Sequence, residues 1–165
     1  MLPLVLNPVN LKAGLAGREP GRDRRAALLA EAGVEVRLLP DKVPDALLAS
    51  LQVLFVAGLP EGEARDLAAR ARAQGVLVNV EDRTALCDFH SVAEVRRGDL
   101  LLTVSTAGAS PGLAARIRAR IAAEYGAEWA DRIALLREHR AMWRRDGGDV
   151  AALTDALLQA NGWLA

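Results

Sequence analysis

The feature that most constrains this chain is an alternation of short, almost wholly apolar runs with alanine- and leucine-rich segments. Glu35–Leu39 (EVRLL), Val53–Ala57 (VLFVA), Val76–Val80 (VLVNV) and Leu100–Ser105 (LLLTVS) have strand length and strand composition, and Leu11–Ala16 is a weaker strand candidate. Between them, Arg22–Ala32 and Glu61–Gln74 space their charges at helical intervals. Gly33 and Gly75 stand where a helix C-terminus takes a left-handed residue. Strand, helix and strand in succession make βαβ units, and runs that are apolar throughout suit a parallel sheet covered on both faces. The expected fold is α/β, with a Rossmann-like parallel sheet over residues 1–109.

From Ser110 onward the β pattern disappears. Ser110-Pro111 reads as an N-cap followed by proline at the first helical position. Leu113, Ile117 and Ile121 then make an apolar stripe between arginines. Gly126 interrupts, and Ala127–Arg145 resumes with Trp129, Ile133, Leu136 and Trp143 near one face. Gly147-Gly148 breaks the pattern again, and Asp149 can cap a last helix over Val150–Asn161. Residues 110–165 are therefore expected to form an all-helical extension.

Composition excludes several classes. Of 165 residues 52% are hydrophobic, enough for a buried core and against disorder. The lone cysteine, Cys87, can make no internal disulfide and excludes a cysteine-rich zinc module. No apolar run approaches the roughly 18–20 residues that span a bilayer, and the N-terminus has no secretory pattern, so a cytoplasmic protein without membrane attachment is expected. Twenty-one basic and 21 acidic residues cancel, which argues against a nucleic-acid partner. The charge is nevertheless uneven, because residues 111–145 carry eight arginines against four carboxylates. That segment suits either a solvated helical surface or an anionic ligand.

In an open parallel sheet, ligands sit beyond the carboxyl ends of the strands, and three places qualify. The turn after the first strand runs Ala16-Gly17-Arg18-Glu19-Pro20-Gly21-Arg22 into a helix. Glycines there let backbone N–H groups approach a pyrophosphate, although Gly17-Arg18-Glu19-Pro20-Gly21 is not G-x-G-x-x-G. The second place is Glu81-Asp82-Arg83, just past VLVNV, where a carboxylate can act as a general base or simply close a loop. The third is Ser105-Thr106-Ala107-Gly108-Ala109-Ser110-Pro111, whose small residues, hydroxyls and N–H groups suit a carboxylate or phosphate, or a self-capped turn. His90 and His139 have neither the spacing nor the partners of a zinc site, and no G-x-S-x-G nucleophile elbow is present.

The order of Asn79-Val80-Glu81-Asp82, Leu86-Cys87-Asp88-Phe89, Arg96-Arg97-Gly98-Asp99-Leu100 and Ser105–Pro111 resembles the siroheme-synthase N-terminal domain, that is, the precorrin-2 dehydrogenase and sirohydrochlorin ferrochelatase family. Leu2-Pro3-Leu4 and the helix end Leu28–Gly33 also fit. The resemblance is specific over 76–121 and looser before it. It implies a Rossmann domain followed by a helical dimerisation region, hence a homodimer. It also implies NAD-dependent oxidation of precorrin-2 to sirohydrochlorin and, in some members, iron insertion to give siroheme, with no resident metal. The family's catalytic aspartate falls on Asp82. Gly17, Pro20 and Gly21 are expected beside the pyrophosphate, Asp41 and Lys42 near the adenosine, and Ser105, Thr106, Gly108 and Ser110 along the tetrapyrrole cleft.

The chain departs from the family where the dinucleotide would lie. Its triple glycine becomes Gly17-Arg18-Glu19, and Ala57-Gly58-Leu59 replaces the usual Thr-Asp. These changes bear on NAD and leave Asp82 untouched. They keep open an alternative, a non-catalytic or NAD-independent tetrapyrrole-binding or chelatase-like relative that has lost the dinucleotide site.

Overall fold

The computed structural model describes residues 2–163. The chain divides between Ser91 and Val92 into two compact units. In the first, four parallel strands run in the order β2-β1-β3-β4, with β1 at Ala13–Gly17, β2 at Val36–Leu38, β3 at Val53–Ala57 and β4 at Leu77–Val80. Three helices connect them: α1 (Gly21–Glu31), the short α2 (Asp45–Leu48) and α3 (Glu61–Ala73). The strand order reverses between β1 and β3, and β1 pairs with β3 from Ala13↔Val53 to Gly17↔Ala57. This is the Rossmann-like architecture that the alternating pattern implies.

β3 shows why the sheet must be covered twice. Successive side chains of a strand point to opposite faces. Leu54 and Val56 enter a cluster with Ala64, Leu67, Ala68 and Ala71 of α3. Val53, Phe55 and Ala57 enter the other, with Ala13, Leu15 and Leu29. All five residues of β3 are buried, so a run that is apolar without alternation is the sequence record of a strand packed on both sides. The alanines of α3 recur at helical spacing and let it lie close against the sheet. Gly33 and Gly75 have φ of +75° and +78° at the ends of α1 and α3, as the helix-stop pattern requires.

The second unit corrects the expected domain boundary at 109/110 and the assignment of every strand to one parallel sheet with only helices beyond it. Leu100–Ser105 does not join that sheet. β6 (Leu100–Val104) pairs antiparallel with β5 (Ala93–Arg97), from Ala93↔Val104 to Arg97↔Leu100. The sequence concealed β5 because AEVRR carries three charges and only Val95 is buried. Gly98, at φ +56°, opens the two-residue turn between the strands.

Three helices complete the unit: α4 (Pro111–Glu124), α5 (Trp129–Arg145) and α6 (Val150–Ala160). Ser110 caps α4 by accepting from Leu113 N at 3.3 Å, and Asp149 caps α6 by accepting from Ala151 N and Ala152 N. Arg97 ties the hairpin to α4. Its guanidinium donates to Tyr125 O (2.8 Å) and Ala122 O (3.2 Å), where the helix leaves carbonyls without partners. The stripe expected on α4 is not a core stripe in the chain as it stands. Leu113 and Ile117 are 50% and 39% exposed, and the residue α4 buries is Ala114.

Truncating Leu54, fully buried in β3, to alanine should leave a cavity and cost about 3 kcal/mol. Urea unfolding of Leu54→Ala should show that loss as a lower midpoint at unchanged slope.

Candidate functional site

The carboxyl ends of β1, β3 and β4 meet at the strand-order reversal, and two glycines decide how closely. Arg18 N donates to Ala57 O at 3.1 Å, so the turn leaving β1 lies against the turn leaving β3. A Cβ on Gly17 would stand 1.8 Å from Ala57 O, and one on Gly58 (φ +69°) would stand 2.3 Å from Arg18 O. Neither position admits a side chain. Arg22 N then donates to Arg18 O and Arg24 N to Pro20 O, which winds the chain into α1 within four residues of β1. Gly21 opens α1 facing the Gly58 backbone, and a Cβ there would also stand 3.0 Å from Glu81 Oε2.

The end of β4 is positioned by a clamp. Residues 86–89 return alongside the strand and bond to it through side chains. Val78 N donates to Asp88 Oδ2 (2.9 Å), and Asp88 N donates to Val78 O (2.7 Å). The Cys87 thiol accepts from Val80 N and donates to Val80 O, both at 3.2 Å. Asn79, buried within β4, donates from Nδ2 to Phe89 O at 2.9 Å, and Phe89 meets Phe55 edge-to-face at 5.5 Å. Arg72 closes the arrangement, donating to both oxygens of Asp88 and to Leu86 O. Between strand and return, Glu81-Asp82 makes the corner. Asp82 adopts φ +58°, a left-handed conformation that aspartate tolerates better than most residues, and it is exposed.

Two recesses open at this mouth. One, of about 500 Å³, is lined by Arg18, Gly58, Leu59, Pro60, Glu81, Asp82 and Arg83. The other, of about 470 Å³, includes Asp41, Lys42, Pro44, Glu63, Asp66 and Arg70, and shares Leu59 with the first. Arg70 fixes the approach to α2 by donating to Val43 O and, from Nε, to Asp45 at 2.9 Å.

Three of the arginines at the mouth are paired within the chain. Arg18 forms a two-point pair with Glu63, at 2.7 and 3.2 Å. Arg22 reaches Glu19 and Asp23, and Arg24 reaches Glu81 at 3.1 Å. Sequence reading placed Arg18 and Arg22 near the turn but did not foresee Glu63 and Glu81 among the anions that hold the arginines there. Both carboxylates come from distant elements, and no local spacing marks them.

The structure thus brings Gly17, Pro20, Gly21 and Asp82 to one mouth, with Asp41 and Lys42 on the adjoining recess. The Ser105–Ser110 turn lies in the second unit and largely satisfies itself. Thr106 Oγ1 accepts from Ser110 N and donates to Ser110 O, while Ser105 Oγ accepts from Ala107 N. Ala107 and Gly108 take φ of +53° and +84°. Among the described residues no group of three histidines, cysteines or carboxylates is gathered as a metal site. Among them, too, no helix is long and apolar enough to cross a membrane.

For a nicotinamide dinucleotide, the backbone fits. Glycine is obligatory where β1 meets β3, α1 opens directly after, and recesses flank the junction on both sides. The side chains add carboxylates around that frame, at Glu19, Glu63 and Glu81.

Fold and mouth define the class, a Rossmann-like NAD(P)-binding-type unit followed by a hairpin and helices. Comparisons with known proteins narrow it. The family model described as "Putative NAD(P)-binding" matches residues 24–93, and "Sirohaem biosynthesis protein central" matches 97–124. Siroheme synthase of Nitrosococcus oceani is 29% identical over 87% of this chain and 38% of its own length. That of Azotobacter vinelandii is 32% identical over 87% of this chain and 35% of its own. The solved structure titled "SirC, precorrin-2 dehydrogenase" has the same fold, with a TM-score of 0.65, 21% identity, and coverage of 88% of this chain and 81% of that one. The chain is a relative of the siroheme synthases, as its motifs suggested, and spans little more than a third of those two curated relatives.

Gly58→Ala should force the β1 and β3 turns apart. We expect a loss of about 2 kcal/mol or more from a side chain placed at positive φ against a carbonyl oxygen, read as a lower thermal midpoint. Thr106→Val, which removes two hydrogen bonds from a half-buried turn, should cost about 1–2 kcal/mol in the same assay.

Proposed function

We propose that the chain is a cytoplasmic enzyme of siroheme biosynthesis that oxidises precorrin-2 to sirohydrochlorin with NAD⁺. The carrying observation is similarity to siroheme synthases over 87% of the chain, which holds Asp82 on the exposed corner beyond β4. Bound NAD⁺ would supply the hydride acceptor. Gly17, Pro20 and Gly21 would hold the pyrophosphate against the first turn of α1, and Asp41 and Lys42 would face the adenosine from their recess. Asp82 takes a proton from the macrocycle at its carboxylate, on the rim of the Glu81–Arg83 recess. Its clamped left-handed backbone fixes where that carboxylate stands before substrate arrives. Ser105, Thr106, Gly108 and Ser110 would border the tetrapyrrole with a turn made rigid by its own hydrogen bonds. Iron insertion into the product is a further activity that the same aspartate would assist, with iron as substrate. The exposed Leu113 and Ile117 of α4 support a homodimer.

Calorimetric titration with NAD⁺ should give saturable binding, and Asp82→Asn should lower turnover by about a hundredfold or more while leaving that binding in place. A folded Asp82→Asn variant with full turnover would remove the assignment. Failure to bind at millimolar NAD⁺ would turn the reading to the tetrapyrrole-binding or chelatase-like alternative, which the paired arginines at the mouth favour.

A further inference from the structure

Glu81 is the one carboxylate at the mouth, among the described residues, that is mostly withdrawn from solvent, with its side chain 17% exposed. It extends back from the end of β4 to the first turn of α1. There its Oε1 pairs with Arg24 at 3.1 Å and lies 4.0 Å from Arg25, and its Oε2 lies 3.0 Å from where a Gly21 Cβ would be. Any larger residue at position 21 would press on both this carboxylate and the Gly58 backbone. Gly21 therefore has a second use besides backbone approach, since it makes room for an internal anion. The first turn of a helix carries a partial positive charge and N–H groups without helical partners, and an anion beside it is stabilised there. Arg24 adds a full charge, which Glu81 neutralises.

We propose that Glu81 is a specificity-determining residue, a built-in anion that competes with phosphate for the first turn of α1 and holds its affinity for anionic ligands low. This rests on the reading of that turn as a dinucleotide site. A phosphate brought to the turn meets the Glu81 charge at short range, in surroundings of lower dielectric than water, and repulsion there is worth more than between exposed groups. Two arginines line the recess wall: Arg18, whose guanidinium Glu63 holds, and Arg83, next to the exposed Asp82. The chain thus favours ligands whose other parts supply the binding energy and disfavours free phosphate and pyrophosphate.

The test uses inorganic pyrophosphate and NAD⁺ on the full chain and on two neutral variants, Glu81→Gln and Glu81→Ala. Calorimetry, with thermal protection as a second readout, should show pyrophosphate binding about tenfold tighter to either neutral variant than to the unaltered chain. Glu81→Asp, which keeps the charge, should remain weak. Equal pyrophosphate affinity across the set, or no binding by any of them, overturns the proposal whatever NAD⁺ does. Tighter pyrophosphate binding with no NAD⁺ binding by any protein sustains it and instead removes the dinucleotide reading of the site. Folding of each variant is checked by circular dichroism, and either neutral variant alone decides the outcome.

Discussion

The contact between the turns leaving β1 and β3 sets everything at the mouth of this sheet. Gly17 faces the Ala57 backbone and Gly58 the Arg18 backbone, with Ala57 O and Arg18 O where two methyl groups would otherwise be. Parallel strands separated by a whole helix have no local reason to end in register, and the turns would splay if either carried a side chain. Because they touch, α1 starts immediately after β1, its first turn comes within reach of β4, and Glu81 can pair with Arg24 across 57 residues of sequence. The recesses on either side are what remains open around that junction.

A second constraint locks the corner that carries Asp82. A run such as Asn79-Val80-Glu81-Asp82 followed by Leu86-Cys87-Asp88-Phe89 looks like a set of functional residues, and physically most of it is a clamp. Asp88 and Cys87 supply side-chain acceptors to the free backbone edge of β4, and Asn79 does the reverse, donating from the strand to the return. Buried polar groups survive only when satisfied, and each of these is. The polar residues of the motif are thus explained without a ligand, which leaves Glu81 and Asp82 as its two carboxylates on the wall of the recess.

How much was legible in the sequence depends on the range of the forces involved. VLFVA could be read as a two-faced buried strand because burial leaves its mark on every residue in the run. Gly33, Gly75, Ser110 and Asp149 could be placed because caps act within one turn of helix. AEVRR could not be read as a strand, since an edge of a two-stranded hairpin buries little and its charges mask the alternation. Missing that strand is why the expected division stood at 109/110 when the units part at 91/92. At the site, Gly17 and Asp82 stood out by position after strands, but Glu63 and Glu81 became partners of arginines only through the sheet's topology. Charge pairing between distant elements leaves no spacing to find.

The same pairing changes how the departures from the family's glycine pattern should be weighed. Counting glycines after β1 suggests that the site is lost, because Arg18 and Glu19 stand where two would be. The geometry separates steric from electrostatic consequences. Gly17 is retained where the backbone contact requires it, and Arg18 and Glu19 direct their side chains to Glu63 and Arg22. The backbone contact survives, while Arg18, Arg22 and Arg24 are each paired with a carboxylate of the chain. An exposed ion pair such as Arg18–Glu63, half accessible on both sides, contributes little to stability and can be exchanged for a phosphate at small cost. Glu81, held in a more enclosed place, cannot be exchanged so cheaply. Affinity at this mouth is therefore governed less by the missing glycines than by a carboxylate that arrives from the other side of the sheet's switch point.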